Sequence, residues 1–335
     1  MKKRYNVAII GCGGMGEAHI QENYYKENIR FTYACDCDLE RAVMFQRKYG
    51  VDYITSDYKE CISDDKVDIV IIATRPKSHL DILRACIQYH KHVLCEKPIS
   101  DTLEAGSTFL RLVKEHPEIK VLVGHILRHN KTYQRAAEMI QAGAIGKPVI
   151  FRMVQNHHTM NWERYLSMLQ EVSPLLDCGV HYADIIQWFT GAKVTDIHAT
   201  GVRSEKDVPA GNYNYGLVTM RMSDGSVGYY EAGYSNTLSA QNVKEFAGPK
   251  GRIRIIFAKD RQEHQEEGDL IEFYRYPEKE YEMINMRCSR KPTGEQFEYL
   301  LQMIENNLPP VPSMEEVKEA FDIMIQADTM IKHNL

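Results

Sequence analysis

Six residues at the end of an apolar run carry the first chemical signal. Residues 5–10 lead directly into Gly11-Cys12-Gly13-Gly14-Met15-Gly16, and a helical pattern follows. Gly11, Gly13 and Gly16 fill the G-x-G-x-x-G positions. The first makes a tight turn, the second lets backbone approach a pyrophosphate, and the third lets the helix pack on the strand. The start of that helix offers N–H groups to phosphate. Asp36 ends the next apolar run, twenty residues after Gly16. A carboxylate there accepts both hydroxyls of an adenosine ribose and repels a 2′-phosphate, so NAD is expected over NADP.

A second set of residues has the chemistry of proton transfer. Lys97 follows the apolar run at 92–95 in Cys95-Glu96-Lys97-Pro98. In open parallel sheets, ligands lie at the carboxyl ends of strands, which is where this lysine stands. Asp177, His181 and Asp184 fall on one face of a helix read over 175–189, while Leu176, Val180, Ile185 and Phe189 form an apolar stripe. A surface cation and a solvated polar face would explain the same residues. Asp177 and His181 with His157 or His158 could supply a two-histidine, one-carboxylate metal set. No compact ligand motif such as H-E-x-x-H occurs, and nicotinamide chemistry needs no metal, so none is expected. No Gly-x-Ser-x-Gly turn supports a serine nucleophile either.

The elements that must position these groups fall into two regions. Through residue 124, apolar runs at 5–10, 31–35, 67–73, 92–95 and 121–123 alternate with helical patterns, notably 78–89 and 101–114. Ser78 is read as a helix cap, and Asp101 with Glu104 as a capping box. Unbroken apolar strands alternating with helices predict a parallel sheet buried on both faces, hence an α/β Rossmann domain over 1–124. From 125 to 335 the pattern changes. Helices are read at 130–143, 175–189, 294–306 and 314–332. Strands are read at 148–155, 194–202, 213–222, 226–234, 252–257 and 269–276, with a hairpin turn at Asp224-Gly225. Strands gathered in sequence predict an α+β domain with an antiparallel sheet. The stretches 204–209 and 259–269 are read as loops.

Composition narrows the partners. The 335 residues carry 41 Lys+Arg against 46 Asp+Glu, a formal net charge of −5. A mildly acidic chain lacks the basic face that nucleic acid requires. No apolar run reaches the length of a membrane span. The N-terminal Met-Lys-Lys-Arg-Tyr enters a strand pattern without a long apolar stretch, so no secretory signal is expected. The eight cysteines form no Cys-x-x-Cys pair, as in a reducing cytoplasm, and a cytoplasmic protein is the expectation.

Taken together, the chain resembles the Gfo/Idh/MocA family of NAD(P)-dependent oxidoreductases. The resemblance rests on Gly11–Gly16, Asp36, Ala73-Thr74 with His79, the run from His92 to Pro98, the run from Asp177 to Asp184, the following Trp188-Phe189-Thr190-Gly191, and Gly248-Pro249-Lys250-Gly251. It spans essentially the whole chain. It implies a Rossmann domain followed by a domain with a large, mostly antiparallel open sheet that binds substrate and in many members forms an oligomer interface, so a homodimer or homotetramer is expected. It implies cofactor contacts at Gly11, Gly13, Gly14, Met15, Gly16, Asp36, Thr74, His79, Glu96 and Lys97. It also implies that Lys97, Asp177 and His181 meet over the nicotinamide. His125, Arg128, His157 and Trp162 are expected in the substrate cleft, with His129 and His158 as neighbours, because sugars and cyclitols favour dense donors and an aromatic face.

The implied activity is oxidation of a secondary hydroxyl of a sugar, cyclitol or glycoside. Two other activities fit a chain of this kind: a redox-neutral enzyme that cleaves a glycosidic bond through transient oxidation by held NAD, and a sensor without catalysis. An intact lysine, aspartate and histidine argue against the sensor. Two departures from the family pattern stand out. Thr74-Arg75-Pro76-Lys77-Ser78 replaces a Thr-Pro-Asn loop. Gly124-His125-Ile126-Leu127-Arg128-His129-Asn130 keeps the arginine of an Arg-aromatic-Pro segment and loses the rest.

Overall fold

The computed structural model of the chain describes residues 3–159, 162–257, 268–289 and 291–335. Positions 259–267 of the stretch read as a loop lie outside the described residues. The chain divides into two compact units: Met1–Ile126 with Lys291–Lys318, and Leu127–Arg290 with Glu319–Leu335.

The first unit begins with strands β1 (Tyr5–Ile10), β2 (Ile29–Cys35), β3 (Tyr53–Thr55), β4 (Ile69–Ile72), β5 (His92–Cys95) and β6 (Val121–Val123). They form one parallel sheet in the order β3-β2-β1-β4-β5-β6, which is the doubly wound Rossmann arrangement. All four residues of β4 are buried, as a strand covered on both faces requires. Between the strands lie α1 (Gly14–Gln21), α2 (Leu39–Tyr49), α3 (Tyr58–Ser63), α4 (His79–Gln88) and α5 (Leu103–Glu115).

Two caps differ from the sequence reading. Thr102, in an extended conformation, caps α5 by accepting from the Ala105 N–H, so Asp101 stands one position outside. Ser78 precedes α4 with helical backbone angles, and its hydroxyl donates instead to Thr74 Oγ1 and the Arg75 carbonyl. The side-chain bond follows the backbone angle, and only Thr102 has the extended geometry of a cap.

The second unit contains α6 (Lys131–Gln141), β7 (Ile150–His158), α7 (Trp162–Leu169), α8 (Pro174–Thr190), β8 (Val194–Val202), β9 (Tyr215–Met222), β10 (Val227–Ser235), β11 (Gln241–Gly248), β12 (Gly251–Ile256), β13 (Asp269–Arg275) and β14 (Glu280–Met286). The eight strands form one sheet in the order β14-β13-β12-β11-β7-β10-β9-β8. Every pairing is antiparallel except β7 with β10. This is the large, mostly antiparallel sheet that the resemblance implied. α8 lies on one face, with Tyr182 stacked on Tyr230 of β10 at 4.6 Å between ring centroids. Ser173 caps its start, Pro174 takes the first turn, and Gly191 ends it in the left-handed region at φ 67°.

After the second unit's sheet, α9 (Thr293–Asn306) belongs again to the first unit. Its Phe297, Leu300, Leu301 and Met303 join Val7, Ile9, Leu94 and Leu122 in one apolar cluster. The last helix, α10 (Met314–Lys332), supplies Met324, which packs at Gly179 of α8; a Cβ on Gly179 would lie 2.5 Å from the Met324 sulfur. No described helix is long and apolar enough to cross a membrane.

Candidate active site

In the first unit, the glycine turn has the geometry its sequence predicted. Gly11 sits at φ +98°, where a Cβ would lie 2.5 Å from the Ala73 carbonyl oxygen. A Cβ on Gly16 would stand 2.0 Å from the Gly11 carbonyl oxygen, so helix and strand close on each other only through glycine. Gly13 is different. Nothing lies within 4 Å of a Cβ built there, and it caps α1 with no side-chain bond. The turn therefore leaves open space before the N–H groups of Gly14, Met15 and Gly16, the space a pyrophosphate needs. Asp36 is fastened to the same turn: Oδ2 accepts from the Cys12 N–H at 2.8 Å and Oδ1 from the Asp38 N–H at 2.9 Å. These residues fit a dinucleotide.

The remaining first-unit candidates surround the ends of β4, β5 and β6. Thr74 is half-buried and tied through its hydroxyl to Ser78. His79 is fully buried and donates from Nε2 to the Thr74 carbonyl at 3.2 Å. Burial pushes its pKa down, against hydrogen bonds to the Thr74 and Pro98 backbones. Glu96 is also buried, with Oε1 2.7 Å from His19 Nε2. Burial alone would raise this carboxyl, yet the His19 bond and the charges of Lys97 and His79 hold it below the ordinary carboxylate value. His79 and Glu96 are thus buried and hydrogen-bonded at the ends of β4 and β5. Lys97 is half-buried just beyond β5. His125 is buried beyond β6, its N–H on the Val123 carbonyl.

In the second unit, α8 carries Asp177, His181 and Asp184 on one face. A solvated polar stripe is not what forms. His181 is 8% exposed and Asp184 2%, while Asp177 is half-buried. The Tyr234 hydroxyl, itself buried, donates to Asp177 Oδ2 at 2.6 Å. Burial, then the Asp177 charge, pushes the tyrosine pKa well up, so the phenol keeps its proton and remains the donor. Tyr234 packs against Tyr165 at 4.9 Å and His157 at 5.5 Å, and the Tyr165 hydroxyl lies 3.5 Å from His157 Nδ1. Trp162 stands at the edge of this cluster with its indole N–H on Asp207. Asp177, His157 and Trp162 are therefore neighbours through two tyrosines, Tyr165 and Tyr234. Sequence reasoning passed over both: alternation along β10 turns Tyr234 inward, whereas Tyr165 lies on α7, a helix the sequence reading did not include.

Arg128, expected in the substrate cleft, is held by an acidic partner on α8. Nε and Nη2 hold the two oxygens of Asp184 at 2.8 and 2.6 Å, and the planar group lies 4.6 Å over the Trp188 ring. A buried bidentate pair of this kind clamps α8 to the segment before α6. His129 is buried beside it in sequence, and His158 is exposed at the end of β7. No group of three His, Cys, Asp or Glu side chains that could hold a metal occurs among the described residues.

Comparison with known proteins agrees with these two units. Residues 5–125 match the family described as an oxidoreductase family with an NAD-binding Rossmann fold, and residues 133–254 match the GFO/IDH/MocA C-terminal domain. Myo-inositol 2-dehydrogenase of Thermotoga maritima is 25% identical over 322 residues, covering 94% of this chain and 92% of that protein. Among solved structures, myo-inositol 2-dehydrogenase from Lactobacillus plantarum has a TM-score of 0.83 at 19% identity, covering 99% of this chain and 98% of that one. Scyllo-inositol dehydrogenase from Lactobacillus casei with bound NAD(H) and scyllo-inositol has a TM-score of 0.78 at 20% identity, covering 99% and 98%. With both domain families matched in order along one chain, the protein belongs to the Gfo/Idh/MocA oxidoreductases and takes NAD as its cofactor.

Proposed function

We propose that this oxidoreductase oxidises a secondary ring hydroxyl of a cyclitol or a closely related sugar, with Lys97, Asp177 and His181 acting at that hydroxyl. The observation that carries this reading is the pair Asp177 and His181, one turn apart on α8, with Asp177 held by the buried Tyr234 hydroxyl. The inositol dehydrogenases among its relatives support the substrate class.

When bound, NAD accepts the hydride from the carbinol carbon. The hydroxyl must lose its proton at the same time, so the products are a ketone, NADH and one proton. A neutral His181 imidazole takes that proton near neutral pH. The Lys97 ammonium donates a hydrogen bond to the same oxygen and stabilises the developing alkoxide. Asp177, oriented by Tyr234, accepts from the substrate hydroxyls and fixes which carbon reacts. The same proposal includes a homodimer or homotetramer built on the sheet face opposite α8, where Leu217, Tyr229 and Val243 stand half-buried.

The test is NADH absorbance with purified protein, NAD and a panel of cyclitols, free sugars and glycosides. Turnover of a cyclitol is expected, with Lys97→Ala lowering kcat by about 100- to 1,000-fold, the scale of losing one oxyanion donor. NAD binding without NADH formation on any polyol, together with cleavage of a glycoside, would establish the redox-neutral reaction instead.

A further inference from the structure

Beside the groups proposed to act at the hydroxyl, the first unit holds one buried polar pair of its own, His19 and Glu96. His19 lies in the last turn of α1, the helix that starts at the glycine turn, and it is fully buried. Its Nε2 is 2.7 Å from Glu96 Oε1, and the Glu96 side chain is 5% exposed. A carboxylate only accepts, so Nε2 carries the proton of this bond. His19 Nδ1 has no hydrogen-bond partner among the described residues, so the bond to Glu96 is the ring's one polar anchor there.

Both partners are held from their backbones. The His19 carbonyl accepts from Asn23 Nδ2 at 2.8 Å, and the Glu96 N–H donates to the Ile72 carbonyl at 2.8 Å. The end of β6 closes against the carboxylate, since a Cβ on Gly124 would lie 2.9 Å from Glu96 Oε2. The next residue along the chain is Lys97.

We propose that His19 is a positioning residue for the dehydrogenase reaction, acting through the Glu96 carboxylate to set the place and counter-charge of Lys97. The inference rests on the reading that Lys97 serves at the reacting hydroxyl. Glu96 is an ionised group taken out of water, and the His19 N–H is the donor that makes this tolerable. The Lys97 charge is in turn one of the influences that keep this carboxylate ionised. Without His19, Glu96 turns or takes up a proton, and the turn that carries Lys97 loses its fixed anion. The glycine turn at the other end of α1 keeps its own backbone geometry, so cofactor affinity changes much less than turnover.

Three variants test this: His19→Leu removes the donor, His19→Gln keeps an N–H that reaches a carboxylate, and Glu96→Gln removes the charge. Melting temperature and circular dichroism establish folding, titration gives the NAD Kd, and steady-state kinetics with the best cyclitol give kcat. The expected result for His19→Leu is a kcat lowered by about 10- to 100-fold, the effect of a displacement of order 1 Å at a reacting group. NAD Kd is expected to stay within about threefold, His19→Gln to recover most of kcat, and His19→Leu to add little in the Glu96→Gln background, because residues acting through one group are not additive. If His19→Leu does not fold, Glu96→Gln alone carries the test and must show the same loss of kcat. Wild-type kcat in a folded His19→Leu or in Glu96→Gln overturns the inference, as does a loss that His19→Gln fails to restore. Retained turnover in Lys97→Ala overturns the underlying reading instead, and the two failures are thereby told apart.

Discussion

Both oxygens of Asp36 accept backbone N–H groups, one from the glycine turn and one from the start of the next helix. The side chain cannot swing aside to admit a 2′-phosphate, because doing so would strand two donors. Spacing from Gly16 was enough to pick this residue from the sequence, since the distance from the third glycine to the end of the second strand is set by one helix and one strand. Its bonds to Cys12 and Asp38 were not legible there. The consequence is a preference measurable in the cofactor alone. Hydrogen bonds to a charged group are worth about 1.5–3 kcal/mol, so Asp36→Ala is expected to weaken NAD binding by about 10- to 150-fold. Removing the anion also relieves repulsion of NADP, so the NAD-to-NADP ratio of kcat/KM falls further than NAD affinity does. An unchanged ratio would mean that selectivity resides elsewhere.

Elements were legible where their pattern was pure and hidden where one residue broke it. β1, β5 and β6 emerge at the ends read from sequence, because each is a short apolar run. β11 was not read at all. Its inward positions include Lys244, which is 1% exposed and whose Nζ donates to the Val154 and Val243 carbonyls and to Asn242, so a cation stands where alternation calls for an apolar side chain. β3 has only three residues, and β14 is an edge strand whose residues are all at least partly exposed. Neither presents a period to detect. The helix face of α8 was read correctly as a row of polar groups, yet its burial depended on Arg128, 56 positions away from Asp184 in sequence. This clamp yields a prediction at the level of the element. Asp184→Ala leaves a buried guanidinium without its carboxylate and is expected to cost about 3–5 kcal/mol, read as a lower urea midpoint. The paired replacement Arg128→Met with Asp184→Leu removes both charges together and should recover most of that loss. If the single variant were as stable as the parent, the clamp would not be what holds α8.

At the scale of the whole chain, the first unit is discontinuous. Strand and helix alternation ends at β6, and nothing in residues 291–318 marks them as part of a Rossmann unit rather than of the sequence around them. Amphipathic helices look alike whichever core they cover. The structure commits α9 to the first unit through Gln296, whose Nε2 donates to the Val123 carbonyl, Thr293, whose hydroxyl donates to the Ala18 carbonyl, and the four buried side chains Phe297, Leu300, Leu301 and Met303. Each such side chain contributes about 1.5–3 kcal/mol by burial. Their sum is comparable with the roughly 5–15 kcal/mol by which a whole domain is stable. A fragment ending at residue 124 therefore lacks a wall of its own core. It is expected to bind a hydrophobic dye, melt without a cooperative transition and bind NAD poorly. Joining 1–126 to 291–318 through a flexible Gly/Ser linker restores that wall and should give a cooperative melt and measurable NAD affinity. Cooperative unfolding and full NAD binding by 1–124 alone would show that α9 only decorates the Rossmann sheet, and that the cofactor unit is complete before the chain enters the second unit.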